Sequence, residues 1–180
     1  IVFGDWSSDV CSSDLFTGPP MDLTGRQPET AAIMQWSAGR SFVLALTLHA
    51  GALVANYPYD NDGKGSTYSP SPDEDVFVWL AQTYAERNLP MRNSTVFPGG
   101  ITNGAAWYVV LGGMQDWSYR YAGCMELTIE ASNLDRPPQE QLPRLWDDNR
   151  ESFLATIESV HTGRSEERRV GKECRTRWWP

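Results

Sequence analysis

The sequence predicts a layered α/β domain, in which helices pack on a β-sheet. Residues 41–49 (SFVLALTLH) form an almost continuous apolar run, which is typical of a strand buried inside such a domain. Residues 125–131 (MELTIEA) alternate between apolar and polar side chains, as a strand with one buried face does. Segments with the apolar stripe of an amphipathic helix lie between and after these strands. Strands and amphipathic helices that follow one another in this way indicate the α/β class.

The first helix and the first two strands are predicted from short segments. Residues 28–38 (PETAAIMQWSA) begin with Pro28, which suits the first turn of a helix because its missing N–H needs no partner there. The run at 41–49 predicts a strand that is covered on both faces. Residues 52–57 predict the strand that follows it.

A loop and a second helix come next. Residues 58–70 are polar and rich in Gly and Pro, which predicts a loop. Ser71 is a favoured N-cap residue, and Glu74 stands three residues after it, as in a capping box. This pattern predicts a helix that begins after Ser71 and ends near Asn88.

The second half of the chain contains a long loop, a strand and a last helix. Residues 89–113 are rich in Gly, Pro and Asn and are predicted to be mostly loop. The alternating segment at 125–131 is the predicted strand. Pro143 predicts the start of the last helix. The predicted inward stripe of this helix consists of Leu145, Asn149, Phe153, Ile157 and Val160.

The two ends of the chain can be encoded by DNA strings that are reverse complements of each other. Residues 11–15 (CSSDL) can be encoded by TGCTCTTCCGATCT, and residues 164–168 (RSEER) by AGATCGGAAGAGC, the reverse complement of a string inside the first. Unrelated peptide ends have no physical reason to be antisense copies, and both strings match a common short-read sequencing adapter. We therefore expect 1–15 and 164–180 to be adapter-derived rather than a Ser/Asp-rich linker and a basic tail. The native domain is then 16–163.

Charge and cysteine content exclude some classes of function. The net charge is −8, and it is unchanged when the two ends are removed. An acidic segment without a basic stripe argues against nucleic acid and anionic membranes as partners. Cys124 is the one cysteine within 16–163, so cysteine usage does not indicate a redox compartment. No apolar run approaches the roughly 20 residues that span a bilayer.

Two predicted strands carry side chains that are suited to catalysis. His49 ends the first strand, and ligands of α/β proteins lie beyond the carboxyl ends of strands. A lone His at such a position is nevertheless more often structural than a metal ligand. Glu126 and Glu130 lie four residues apart on the strand at 125–131 and point to the same face, so their spacing does not choose between them.

Two islands of sequence, LHAGALVANYPYD at 48–60 and GITNGAAWYVVLGGMQDWSY at 100–119, precede the strand-like segment CMELTIEAS. Together they resemble the zinc carboxypeptidases, in particular the regulatory branch that includes carboxypeptidases D, E, M and N. The resemblance covers nearly all of 16–163 and implies the C-terminal part of the catalytic domain. It also implies an α/β/α layered, carboxypeptidase-like (phosphorylase/hydrolase-like) fold with a mixed sheet.

The resemblance implies a role for five residues. His49 corresponds to the third zinc ligand of the family. Glu130 corresponds to the catalytic base, which takes a proton from the attacking water and passes it to the leaving amine. Tyr108 corresponds to the tyrosine that closes over the substrate and binds its terminal carboxylate. Asp60 and Gln115 correspond to residues lining the pocket for the last side chain, where a carboxylate and an amide suit Lys or Arg.

The expected activity follows from these matches and from the motifs that are absent. The chain contains neither the H-x-x-E motif with the other two zinc ligands nor the DLNRNF-like motif whose Asn-Arg pair binds the substrate carboxylate in the family, and we expect both in an upstream segment. We expect a fragment, inactive by itself, of a secreted or periplasmic zinc exopeptidase that removes Lys or Arg from peptide or protein C-termini. The alternatives are a carboxypeptidase-like pseudo-enzyme that serves as a binding module, and an amidohydrolase acting on cell-wall peptides or acylated amino acids.

Overall fold

Four strands form a mixed sheet at the centre of the structure, a computed structural model that describes residues 22–61 and 63–162. The strands are β1 (Leu44–His49), β2 (Ala52–Tyr57), β3 (Ile101–Asn103) and β4 (Met125–Ser132). The helices are α1 (Pro28–Ala38), α2 (Glu74–Ala85), α3 (Leu89–Arg92), α4 (Gly104–Trp107), α5 (Met114–Trp117) and α6 (Leu142–Thr162). Among these helices none has the length and apolar character that crossing a membrane requires. The ends 1–15 and 164–180 lie outside the described residues, so their adapter origin stays a prediction.

The strands lie in the order β1-β4-β2-β3. β1 runs parallel to β4, β4 runs antiparallel to β2, and β2 runs parallel to β3, so the expected mixed sheet is confirmed. Leu44 lies opposite Met125, and His49 lies opposite Glu130. Because β1 and β4 are parallel and in register, they bring the two predicted catalytic side chains to the same edge of the sheet.

The main core lies between the sheet and α2. Leu127 and Ile129 of β4 pack with Phe77, Leu80 and Tyr84 of α2, and all five side chains are buried. Complete burial of an apolar side chain of this size contributes roughly 1.5–3 kcal/mol. This contact fixes which face of β4 is apolar.

The opposite face of β4 carries polar side chains, because side chains alternate along a strand. Glu126 accepts a hydrogen bond from the Thr47 hydroxyl of β1 and is also hydrogen-bonded to Ser118, which follows α5. A smaller core, in which Met34 of α1 packs on Trp117 of α5, lies on this side. Helices therefore lie on both faces of the sheet, as the α/β/α fold requires.

The second helix begins two residues later than predicted. α2 starts at Glu74, and Asp73 rather than Ser71 occupies the N-cap position. The Asp73 carboxylate does not cap the helix, because it accepts a hydrogen bond from the Tyr119 hydroxyl at 2.7 Å. The predicted capping box is therefore wrong, although the helix exists.

The segment at 89–113, which was predicted to be mostly loop, contains several short elements. The Asn88 side chain accepts a hydrogen bond from the Met91 N–H and caps α3, which is why α2 ends at Ala85 and not near Asn88. A 3-10 turn follows at Pro98–Gly100, and β3 and α4 come directly after it. A strand of three residues is too short to show an alternating pattern in the sequence.

β1 is shorter and more open than predicted. It begins at Leu44 rather than at Ser41, and all six of its residues are partly exposed. It is an edge strand, with β4 as its one neighbour among the described residues. Its other edge borders a groove of about 820 Å³, which is lined by apolar side chains of α1 and α6 such as Trp36 and Trp146. The prediction of a strand covered on both faces is therefore wrong within the part of the chain that is described.

α6 packs partly through the predicted stripe, since Asn149 is buried and Phe153 packs against the main core, and partly through hydroxyl side chains that the prediction did not include. Ile157 and Val160 are 59% and 42% exposed. The Thr156 hydroxyl donates a hydrogen bond to the backbone oxygen of Ser152, and the Ser159 hydroxyl donates one to the backbone oxygen of Thr156, so these two hydroxyls are satisfied inside the helix. The buried side chains of this helix are Asn149, Ser152, Thr156 and Ser159.

Candidate active site

His49 and Glu130 face each other where β1 and β4 end. Their Cα atoms are paired in the sheet, and the Nδ1 atom of His49 lies 3.0 Å from Oε2 of Glu130. The Glu130 side chain is 5% exposed and the His49 side chain 31% exposed, so the imidazole lies nearer to solvent than the carboxylate. The two residues therefore meet in direct contact at one edge of the sheet.

Glu126 and Glu130 lie on the same face of β4 but have different hydrogen-bond partners. Glu126 is bonded to Thr47 in the interior of the β1–β4 pair and lines the large groove. Glu130 is bonded to His49 and lines a second, smaller cavity. The carboxylate that shares a site with an imidazole is therefore Glu130, as the resemblance implied.

The small cavity, of about 120 Å³, brings together four of the five predicted site residues. It lies next to the His49–Glu130 pair, and the backbone of Gly112 and Gly113 forms part of its wall. Gln115 does not line the cavity and is 1% exposed. The predicted residues that line it are His49, Asp60, Tyr108 and Glu130.

Asp60 is a buried carboxyl group in the wall of this cavity. Its Oδ1 atom accepts hydrogen bonds from Nδ2 of Asn56 at 3.1 Å and from Nε2 of Gln115 at 2.8 Å. Burial raises the pKa of Asp60 to about 7; the Asn56 hydrogen bond lowers it, and the nearby charges of Glu126 and Glu130 raise it further. A cation that enters the cavity favours the charged form of this carboxyl group.

Gln115 contacts the Asp60 side chain without lining the cavity itself. Its Oε1 atom accepts a hydrogen bond from the Thr128 N–H at 3.0 Å, which turns its amide nitrogen toward Asp60. Both ends of the amide are used by the protein itself. Within the described part of the chain, Gln115 thus contacts Asp60 rather than the cavity, and its expected role in the substrate pocket stays a prediction.

Two glycines allow the backbone to pack directly on the Asp60 carboxylate. A Cβ atom at Gly104 would overlap Oδ1 of Asp60 and would lie 2.8 Å from its Cγ. A Cβ atom at Gly113 would lie 2.8 Å from Oδ2 of the same residue. Both distances are shorter than real Cβ contacts, so these positions require glycine for steric reasons.

Tyr108 follows α4 directly and borders the cavity, with 46% of its surface exposed. Its ring contacts that of Trp107, with the centroids 4.7 Å apart. Partial burial raises the pKa of the Tyr108 hydroxyl, and the charges of Glu130 and Asp60 raise it further. The group therefore stays protonated and is a hydrogen-bond donor at the cavity, as binding of a carboxylate requires.

Asn103 is a residue of the site that the sequence patterns did not reveal. Its Nδ2 atom donates to the backbone oxygens of Pro58 at 3.1 Å and Ser69 at 2.9 Å, and its Oδ1 accepts from the Ser69 N–H at 3.0 Å. It thereby joins the two ends of the loop at 58–70, which carries Asp60. The sequence patterns predicted loop at this position; in the structure Asn103 also caps α4, by accepting a hydrogen bond from the Ala106 N–H.

The described residues fit part of a zinc site. Within residues 22–61 and 63–162, no group of three His, Cys, Asp or Glu side chains is arranged to hold a metal ion. An imidazole nitrogen is a common zinc ligand, and catalytic zinc requires three protein ligands. His49 could supply one such ligand, and the Glu130 carboxylate lies beside its imidazole.

An imidazole and a carboxylate meet at adjacent strand ends of an α/β/α sheet, where ligands of such folds bind, and lie beside a cavity with a buried carboxyl group. Metal-dependent hydrolases use side chains of these types. A sequence profile described as zinc carboxypeptidase matches residues 4–152. The chain belongs to the zinc carboxypeptidase family. The match begins inside the segment 1–15, whose adapter origin stays a prediction.

Individual relatives are found among the carboxypeptidases of animals. Carboxypeptidase M of Mus musculus is 48% identical over 148 residues, which is 77% of this chain and 33% of the relative. Carboxypeptidase D of Homo sapiens is 46% identical over 147 residues, 76% of this chain and 11% of the relative. Carboxypeptidase E of Caenorhabditis elegans is 42% identical over 158 residues, 79% of this chain and 34% of the relative. The chain thus spans between about a tenth and a third of the length of these relatives.

Proposed function

We propose that this chain is part of a zinc-dependent exopeptidase that removes C-terminal Lys or Arg from peptides and proteins. The observation that carries the proposal is the pairing of His49 with Glu130, 3.0 Å apart, beside a cavity that contains Asp60. Membership of the zinc carboxypeptidase family supports the reaction class. The anionic wall of the cavity supports the preference for a basic residue.

His49 would supply one zinc ligand, and residues outside this chain would supply the other two. When bound, zinc acts as a Lewis acid that makes a water molecule a stronger nucleophile at neutral pH. Glu130 then has the role of general base and acid: it accepts the proton from the attacking water and delivers it to the leaving amine. Its contact with His49 holds it at the same edge of the sheet as the metal position.

Asp60 and Tyr108 would bind the two ends of the last residue of the substrate. The Tyr108 hydroxyl donates a hydrogen bond to the terminal carboxylate, and the Asp60 carboxylate accepts one from the Lys ammonium or Arg guanidinium group. A hydrogen bond to a charged group contributes about 1.5–3 kcal/mol, which corresponds to at least a tenfold preference over a neutral side chain. Substrates of this kind would be met outside the cytoplasm, in keeping with the expected secreted or periplasmic location.

The test uses a complete domain, made by joining the preceding part of the carboxypeptidase M catalytic domain of Mus musculus to residues 16–162 of this chain. Peptides that differ in the last residue alone, Arg, Lys or Ala, are compared by kcat/KM. We expect release of the last residue, with Arg and Lys preferred over Ala by at least about tenfold. Asp60→Asn should lower this preference, whereas Asp147→Asn, the same change at an exposed position on α6, should not.

Two results would contradict the proposal. Equal kcat/KM values for Arg-ending and Ala-ending peptides would remove the basic preference. Binding of these peptides without cleavage, or cleavage of an acyl group instead of the C-terminal residue, would replace the exopeptidase with a binding module or an amidohydrolase.

A further inference from the structure

The carboxylate of Asp116 is bound to the backbone of the residue that the proposed function assigns to substrate recognition. Both Oδ1 and Oδ2 of Asp116 lie 3.0 Å from the backbone nitrogen of Asp60, and Oδ2 also lies 3.3 Å from that of Asn61. These residues are 56 and 55 positions apart in the sequence, so the contact is tertiary. Asp116 is 1% exposed and does not line the cavity.

A carboxylate at this depth is costly unless its charge is compensated. Burial raises the pKa of Asp116, and the charge of Asp60 raises it further; the two backbone N–H groups and the positive charge of Arg120 lower it. The Arg120 guanidinium lies 5.0 Å from the centroid of the Tyr59 ring, next to Asp60 in sequence. The partners of Asp116 are thus concentrated around the turn at 59–61.

The short helix α5 holds Asp60 at two points through adjacent residues. Gln115 binds the Asp60 side chain at 2.8 Å, and Asp116 binds the Asp60 backbone at 3.0 Å. Gly104 and Gly113 lie so close to the carboxylate that a Cβ atom at either position would clash with it. A displacement of the Asp60 backbone by a few tenths of an ångström would therefore displace its carboxylate from Gln115 or bring it into contact with a glycine.

We propose that Asp116 is a positioning residue for specificity, which fixes the Asp60 carboxylate at the place where a basic side chain of the substrate is bound. This inference rests on the proposed function and extends it to a residue that does not contact the substrate. Asp116 acts through the backbone of Asp60 and Asn61, and its removal affects recognition of the charged side chain more than the chemistry at Glu130.

The geometry requires a carboxylate at this position. Both oxygens of Asp116 accept hydrogen bonds from N–H groups. In Asp116→Asn, one oxygen becomes an NH₂ group, which has no lone pair and faces a backbone N–H. Two donors then point at each other, and the turn at 59–61 must move. The change in side-chain volume is minimal, so the variant tests hydrogen bonding and not packing.

The experiment measures kcat and KM of the complete domain with peptides that end in Arg or Ala. We expect Asp116→Asn to raise KM for the Arg peptide about tenfold or more, with kcat/KM for the Ala peptide changed less than about threefold, because one charge-assisted contact is lost. Asp147→Asn, an exposed control, should change neither value. Equal losses on both peptides would show a structural role alone and overturn the inference.

The two proposals fail in different ways. If the unaltered complete domain shows no preference for Arg over Ala, the proposed function and the inference resting on it both fail. If it shows the preference and Asp116→Asn retains it, the inference alone fails. A second measurement does not depend on turnover: the amide proton shifts of Asp60 and Asn61 should move upfield in Asp116→Asn, and unchanged shifts would mean that the hydrogen bonds are absent.

Discussion

The Nδ1 atom of His49 lies 3.0 Å from Oε2 of Glu130, although 81 positions separate the two residues in the sequence. The contact depends on the register of β1 and β4, in which these residues are direct partners. A shift of one residue in this register would turn one of the two side chains to the opposite face of the sheet. The imidazole–carboxylate pair is therefore a consequence of strand pairing, and the cavity is built around it.

Gly104→Ala should disturb the Asp60 carboxylate. The added methyl group would overlap Oδ1 of Asp60, so α4 or the carboxylate must move. Overpacking of this kind typically costs about 1–3 kcal/mol of stability. We expect a lower melting temperature and a reduced Arg preference in the complete domain. Ala106→Ser, at an exposed position of the same helix, is the control and should be neutral; an equal effect there would show that α4 tolerates no change of any kind.

Asp60→Asn should change how stability depends on pH. The pKa of Asp60 rises from 3.8 to about 7 on folding, so between these values the folded protein holds a proton that the unfolded chain has released. The free energy of unfolding therefore falls as pH rises through this window, by up to a few kcal/mol from this group.

Urea unfolding from pH 4 to pH 8 is the measurement. The Asn side chain keeps an oxygen for the amides of Asn56 and Gln115 but does not titrate. We expect a flatter pH profile in Asp60→Asn than in the unaltered domain. Parallel profiles would mean that Asp60 is ionised throughout this window in the folded protein.

Asn149→Ala should loosen the contact between α2 and α6. The Oδ1 atom of Asn149 accepts hydrogen bonds from the Tyr84 hydroxyl at 2.8 Å and from Nδ2 of Asn88 at 2.9 Å. Removal of this acceptor leaves two buried donors unpaired, at about 1–3 kcal/mol each. Thermal unfolding should show a decrease of several degrees. Asp148→Ala, which loses an ion pair at the surface, should cost less than about 1 kcal/mol; equal losses would contradict a special role for Asn149.

The elements predicted well from the sequence are those whose pattern is local. The helix at Pro28–Ala38 and the strand at Ala52–Tyr57 have the predicted bounds. A proline in the first turn marks the start of the helix and an apolar run marks the strand, and neither signal depends on long-range contacts. The cap of α2 was mispredicted because the helix begins only after a turn at residues 72 and 73, so that Asp73 and not Ser71 precedes its first residue. β3 was missed because three residues show no period.

The residues that line the cavity could be predicted from the sequence, whereas the residues that hold them in place could not. His49, Glu130, Tyr108 and Asp60 follow from the resemblance, and the structure places all four around one cavity. Residues such as Asn103 and Asp116 act through backbone groups more than 30 positions away. Neither residue type nor spacing encodes such a contact, so only the fold reveals it.

We propose that His49 binds zinc while Glu130 acts as the base, and Glu130→Gln in the complete domain separates these two roles. Gln keeps the size of the side chain but cannot accept a proton, so hydrolysis of an Arg-ending peptide should fall by about 100-fold or more. Zinc content, measured by mass spectrometry of the metal, should be unchanged, and Glu126→Gln on the same strand should retain both activity and zinc. Loss of zinc together with activity in Glu130→Gln would show that Glu130 is a ligand and would contradict the division of roles.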